Sequence, residues 1–334
     1  AIHVPEQYGG MGLGYVELVA TLEQMGRYLL CSPFYSTVCL GINALLVAGN
    51  EEQKSNYLPQ IVEGKTATLA YTGSNGRWDA SAVEATFQRD GENFVLNGNC
   101  RFVPDGHTAD FIVVAAREVG SEGEQGIGLF VVEADIEGLQ RNWLPTVDQT
   151  RKQAELVFGS VQVPAAQSLG EAGSGAAALE TIIDLATIAV TAEQVGGMQQ
   201  ALDSTVAYTQ ERVQFNRTIA SYQAVKHKAA DMMVKAEAAR SAVYYAACVA
   251  QEALEGGALA EELPEAASVA KAWCSDAYFF NAGTGIQLHG GVGFTWEYDI
   301  QLYFKRAKSS ETFLGTGAYH RERIAQQLLD GGVA

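Results

Sequence analysis

"ADFIVVAA" (residues 109–116) and "GIGLFVVE" (residues 126–133) are short runs of β-branched and apolar residues. Similar runs occur at "ATLAYTG" (67–73), "SAVEATFQ" (81–88), "NFVLNG" (93–98) and "AELVFGSVQV" (154–163), separated by Gly, Asp and Asn. That pattern predicts an antiparallel sheet. On both sides the period changes. Before the sheet, Val16, Val19, Leu22 and Met25 repeat at three-residue spacing, the mark of a helix. After "VPAAQSLGEAGSG" (163–175), Ala-rich segments at about 176–210, 219–254, 264–288 and 316–329 predict helices packed antiparallel through short joints. The expected fold is α+β: an N-terminal helical domain (1–66), a middle antiparallel β domain (67–166) and a C-terminal four-helix bundle (167–334).

Composition narrows the function. The chain has 334 residues, 48% of them apolar, enough for a substantial core. Thirty-nine acidic against 22 basic residues give a net charge of -17. An acidic surface argues against nucleic acid, which is held by displacing counterions from phosphates. Five cysteines (Cys31, Cys39, Cys100, Cys248, Cys274), without C-x-x-C pairs, support neither a disulfide framework nor zinc. Reduced thiols in a cytoplasm are expected. No run reaches the ~18 apolar residues of a membrane span, and no signal-peptide pattern is present. The first residue is Ala1, so a segment upstream is left open. "YGGMGLGYVE" (8–17) is glycine-rich before a helix, but no strand leads into it and its spacing is not G-x-G-x-x-G, so a dinucleotide turn is not expected.

The helix–sheet–helix order, together with "VPEQYGGMGLG" (4–14), "LNGNCRFVPDG" (96–106), "ERVQFNRTIASYQAVKHKAADM" (211–232), "QLHGGVGFTWEYD" (287–299) and "KRAKSSETFLGTG" (305–317), resembles the acyl-CoA dehydrogenase family across essentially the whole chain. The resemblance implies an FAD enzyme acting on an acyl-CoA substrate, and a helical segment upstream that is absent here. Such chemistry needs a carboxylate for the α-proton and a flavin to accept the β-hydrogen.

In this family some residues hold a subunit's own flavin and others are lent to a neighbour's. By resemblance, Arg212 meets the pyrophosphate, Phe215 lies beside the adenine, and Gln287, Gly290 and Gly291 form a turn that brings backbone N–H groups to the partner's phosphates. Thr316 is also expected at the cofactor. Asn216 replaces the usual glycine. By residue type alone, Arg212 could equally be a surface ion-pair partner and "HGG" a helix C-cap.

The own-flavin set departs from the pattern. In "TGSNGRWD" (72–79), Thr72 and Asp79 are kept, while Gly73, Ser74, Arg77 and Trp78 are substitutions. Phe102 stands where a Trp lies against the flavin, a tolerable change that keeps Phe102 among the cofactor-binding residues the resemblance implies. The expected hydroxyl falls on Pro104, which has neither N–H nor O–H. The base positions are Leu314, before Gly315–Thr316, and Ala186, ten residues before Gly196; neither can accept a proton. Glu311 and Asp184 are weak substitutes, with solvated or ion-paired carboxylates as the plainer reading. His227 and His320 are expected on polar helix faces, and His289 near phosphate. "KRAK" (305–308), Lys226 and Lys228 are either CoA-phosphate contacts or a solvated face. Nothing has metal-ligand spacing.

The leading expectation is therefore a non-catalytic subunit of a hetero-oligomeric acyl-CoA dehydrogenase, a dimer or tetramer, sharing FAD with a catalytic sister chain. This resembles the paired enzymes of bacterial sterol side-chain breakdown. The alternatives are a self-sufficient homo-oligomer using Glu311 or Asp184, a scaffold that binds acyl-CoA or a partner without redox work, and a flavin monooxygenase.

Overall fold

Helix α1 (Tyr15–Arg27) turns Leu18, Val19 and Leu22 inward, as the spacing of its apolar residues requires. A π-helix follows at Tyr35–Ile42, buried along its whole length, and runs into α2 (Asn43–Ala48). Asn50 and Gln53 form a capping box that starts α3 (Glu51–Val62). The computed structural model describes residues 1–330.

The next strands are β1 (Ala67–Ala70), β2 (Thr86–Asp90), β3 (Asn93–Pro104), β4 (Phe111–Glu118), β5 (Ile127–Glu133), β6 (Leu139–Leu144), β7 (Gln153–Pro164) and β8 (Ser168–Leu169). They form one sheet in the order β6-β7-β3-β2-β4-β5-β8, with β1 also paired to β4. Most pairs are antiparallel, as the sequence pattern predicts. The two exceptions are β1 and β2, which run parallel to β4. A parallel pair needs a long connection, and here the intervening strands supply it. Such pairing over a large sequence separation leaves no trace in a period-2 pattern. Both faces of β4 and β5 are covered, which explains their continuous apolar runs. Phe87, Phe94 and Phe130 meet at ring distances of 5.0 to 5.6 Å in the core of the sheet.

Helices α4 (Ala176–Glu211), α5 (Gln223–Glu255), α6 (Leu263–His289) and α8 (Gly317–Asp330) are the four expected. A two-stranded hairpin, β9 (Val213–Gln214) and β10 (Arg217–Thr218), joins α4 to α5. The sequence reading missed α7 (Ile300–Thr312). Its apolar positions are interrupted by Lys305, Arg306 and Lys308, so its periodicity is weak.

The chain forms two compact units. One comprises residues 1–14 and 31–186 and contains the sheet; the other comprises 15–30 and the residues from Thr187 onward. Helix α4 is common to both. In the second unit α1 lies directly on α4. A Cβ on Gly196 would come within 1.8 Å of the Glu23 carbonyl oxygen, so only glycine allows this approach. No helix among the described residues is long and apolar enough to cross a membrane.

Candidate functional site

Within the helical unit, Arg212, Phe215, Gln287, Gly290 and Gly291 are all solvent-exposed. Arg212 directly follows α4, and its guanidinium makes no ion pair among the described residues. Phe215 and Asn216 form the two-residue tip of the β9–β10 hairpin with φ of 53° and 62°. Positive φ at both positions is what a type I′ turn demands, and Asn takes it more readily than Phe. The hairpin thus holds Phe215 out, 88% exposed, in a backbone region that costs an L-residue about 1–2 kcal/mol. At the end of α6, Gly290 is the helix C-cap, as the plainer reading of "HGG" has it, with φ 67° and its N–H donated to the Ile286 oxygen; a Cβ added to Gly290 or Gly291 would meet nothing within 4 Å, so the turn is accessible. His289 is buried: Nδ1 lies 2.7 Å from the Gly285 oxygen and the ring stacks on Tyr208 at 4.2 Å.

The turn from α7 to α8 is organised by buried groups. Leu314 is 1% exposed and has φ 58°; Gly315 follows at 96°. Because α7 ends at Thr312, Leu314 is not on a helical face with Glu311. Glu311 instead pairs with Lys308 at 2.9 Å. His320 is buried rather than on a polar face, with Nε2 2.8 Å from the Leu314 oxygen. Thr316 is exposed and caps α8, accepting the Tyr319 N–H at 3.3 Å.

Beneath this turn Lys271 is fully buried, and its ammonium donates to Ser275 Oγ (2.9 Å) and to the oxygens of Ser310 (3.0 Å), Glu311 (3.1 Å) and Gly315 (2.8 Å). Burial pushes its pKa down to about 7. The signal was present in the sequence: Ala267, Lys271, Cys274 and Tyr278 share one helical face, and the other three are apolar. Arg306 in "KRAK" is likewise buried, 3.4 Å from Glu193. Asp184 and Ala186 are buried in α4, which removes the solvated half of the reading of Asp184 as a solvated or ion-paired carboxylate; the Ala186 carbonyl accepts the Tyr35 hydroxyl at 2.8 Å.

In the sheet unit, β3 bulges between Cys100 and Val103, placing Phe102 at φ 58°. Trp78 packs against it at 6.4 Å and against Tyr71 at 6.3 Å. Arg77 is tied to Asp79 at 3.0 Å. Glu84 holds the 72–79 loop by accepting the N–H groups of Ser74 (2.8 Å) and Asn75 (3.2 Å), which lower its pKa. A Cβ at position 73 would lie 2.2 Å from that carboxylate, which explains Gly73. Thr72 spends its hydroxyl on the Arg101 oxygen at 2.6 Å.

The two sets answer differently to a flavin. Exposed Arg212 and Phe215 and the open Gly290–Gly291 backbone fit a phosphate-bearing aromatic cofactor. At the own-flavin positions Trp78 lies against Phe102, Pro104 has neither N–H nor O–H, and the Thr72 hydroxyl is donated to the Arg101 oxygen. Among the described residues no cluster of His, Cys, Asp and Glu could hold a metal.

N-terminal helices, a middle sheet and C-terminal helices are the architecture of a class of flavoprotein oxidoreductases. Family models for the acyl-CoA dehydrogenase N-terminal, middle and C-terminal domains match residues 1–65, 68–161 and 173–329. An acyl-CoA dehydrogenase of Bacillus subtilis (strain 168) is 32% identical over 99% of this chain and 86% of its own. Butyryl-CoA dehydrogenase from Megasphaera elsdenii superposes with a TM-score of 0.91 at 30% identity, covering 98% of this chain and 86% of that one. A variant of the Tcur3481-Tcur3483 steroid ACAD does so at 0.87 and 31%, covering 100% and 86%. The chain belongs to the acyl-CoA dehydrogenase family, whose members are FAD-dependent flavoproteins.

Proposed function

We propose that this chain is the non-catalytic subunit of a heteromeric acyl-CoA dehydrogenase, lending Arg212, Phe215, Gln287, Gly290, Gly291 and Thr316 to FAD held with a catalytic sister chain. FAD, when bound, accepts the β-hydrogen of the acyl-CoA as hydride. The observation that carries the reading is Leu314: at the position of the family's base stands a buried aliphatic side chain, and the backbone around it is committed to Lys271 and His320. The sister chain would supply the carboxylate. Without a positioned base the rate falls about 10²- to 10⁴-fold, so a lone chain would be nearly inert.

The aromatic contact of Trp78 with Phe102 supports an abandoned flavin pocket in this subunit. Similarity to a steroid ACAD supports a bulky, steroid-derived CoA thioester as substrate. The 1–66, 67–166 and 167–334 segments would then act as the family's three functional domains, in a cytoplasmic dimer or tetramer. Co-purification with the sister chain tests this: about one FAD per two chains and turnover only in the mixture are expected. Stoichiometric FAD and acyl-CoA oxidation by this chain alone would overturn it.

A further inference from the structure

Lys271 lies outside every set of residues that the family resemblance singles out, yet it is the hub of the turn between α7 and α8. We infer that Lys271 is the positioning residue of this turn: by gathering the carbonyl oxygens of Ser310, Glu311 and Gly315 onto one ammonium, it fixes Thr316 at the head of α8 for the flavin. The inference rests on the reading of Thr316 as a cofactor-contacting residue.

Three features argue for it. The last carbonyls of a helix have no partner within it and carry its negative end, so a cation there satisfies both needs. At α7 that cation comes from another helix, and Lys271 is wholly buried, so water cannot take over the task. Next, Leu314 and Gly315 are consecutive left-handed residues, and a leucine stays there only where its surroundings over-determine the backbone. Lys271 holds one side of that pair through Gly315, and His320 holds the other through Leu314. Finally, one residue separates the clamped Gly315 carbonyl from the α8 N-terminus, so movement of the turn moves the Thr316 cap. Gln194 Nε2, 3.1 Å from Ser310 Oγ and 3.4 Å from Ser275 Oγ, braces the same cluster from α4.

The experiment uses the heteromeric complex and this chain, with Lys271→Met, Gly315→Ala and the double variant. Lys271→Met keeps the stem and removes the donors. Gly315→Ala breaks the turn from the other side, because its Cβ would lie 2.4 Å from the Tyr319 ring. Amide exchange across 311–320 and the rate of FAD release are measured. Each single change should speed both about tenfold, with β4 and β5 amides unaffected, and the double variant should be no faster than the worse single, because both act through one turn. Additive effects, unchanged exchange, or a loosened turn with unchanged FAD release would overturn the inference. Absence of FAD from the wild-type complex would sink the subunit reading as well, whereas those three outcomes sink only the role of Lys271. Should Lys271→Met fail to fold, Ser275→Ala removes one of the acceptors and must give the same pattern at smaller amplitude.

Discussion

His320 Nε2 lies 2.8 Å from the carbonyl oxygen of Leu314, and its Nδ1 lies 3.3 Å from Ser268 Oγ. A carbonyl can only accept, so Nε2 carries the proton, while the Ser268 hydroxyl is able to donate to Nδ1. Burial favours the neutral imidazole, and the backbone of Leu314 is tied to it. Burial, reinforced by the nearby Lys271 ammonium, pushes the His320 pKa down to about 3. Burial likewise takes His3, 2.8 Å from Asn43, down to about 4.

Acid sensitivity follows. Both histidines titrate near 6.5 when unfolded, so between that pH and their folded values the unfolded chain binds more protons. Their contribution to stability is complete above about pH 6.5 and is lost as pH falls toward 4 and then 3. Urea unfolding at pH 7 and pH 4.5 should show the loss, and His320→Gln should flatten the slope.

Replacing Leu314 by Glu should not restore a working enzyme. The site is 1% exposed, and a carboxylate there should cost about 2 to 4 kcal/mol. Thermal unfolding would report the cost. Acyl-CoA oxidation by the isolated variant should stay at background, because the substitution leaves the Trp78–Phe102 contact in place.

Trp78→Ala should cost about 1 to 2 kcal/mol, through lost contacts with Phe102 and Tyr71. It should not make the chain bind FAD by itself, since Pro104 still offers no donor. Denaturant titration and the visible spectrum of the purified variant check the two halves.

Arg212→Ala should leave the stability of the isolated chain within about 0.5 kcal/mol, because the side chain is exposed and unpaired among the described residues. In the proposed heteromeric complex, FAD affinity should fall about ten- to hundredfold, the cost of losing the charge-assisted phosphate contact proposed for Arg212. Equilibrium dialysis of FAD against the complex measures it.

Much of the fold was legible because it is written in local periods. The switch from helical spacing to short β-branched runs and back marks the strands and the four long helices. Helix α7 escaped because its buried face includes Arg306, a charge that reads as surface until Glu193 is seen beside it. His320 was misread for the same reason: a polar residue in a polar segment gives no sign of burial.

The sequence by itself determined the order of elements, the family, and the absence of a carboxylate at Leu314 and Ala186, since each is a matter of residue type at a position. Tertiary structure alone decided that Trp78 covers Phe102, that β1 and β2 run parallel to β4, and that Lys271 binds the turn holding Leu314. Lys271 and Gly315 are separated by 44 positions. No local pattern couples residues so far apart; packing does, because a buried ammonium must find oxygens wherever the fold brings them.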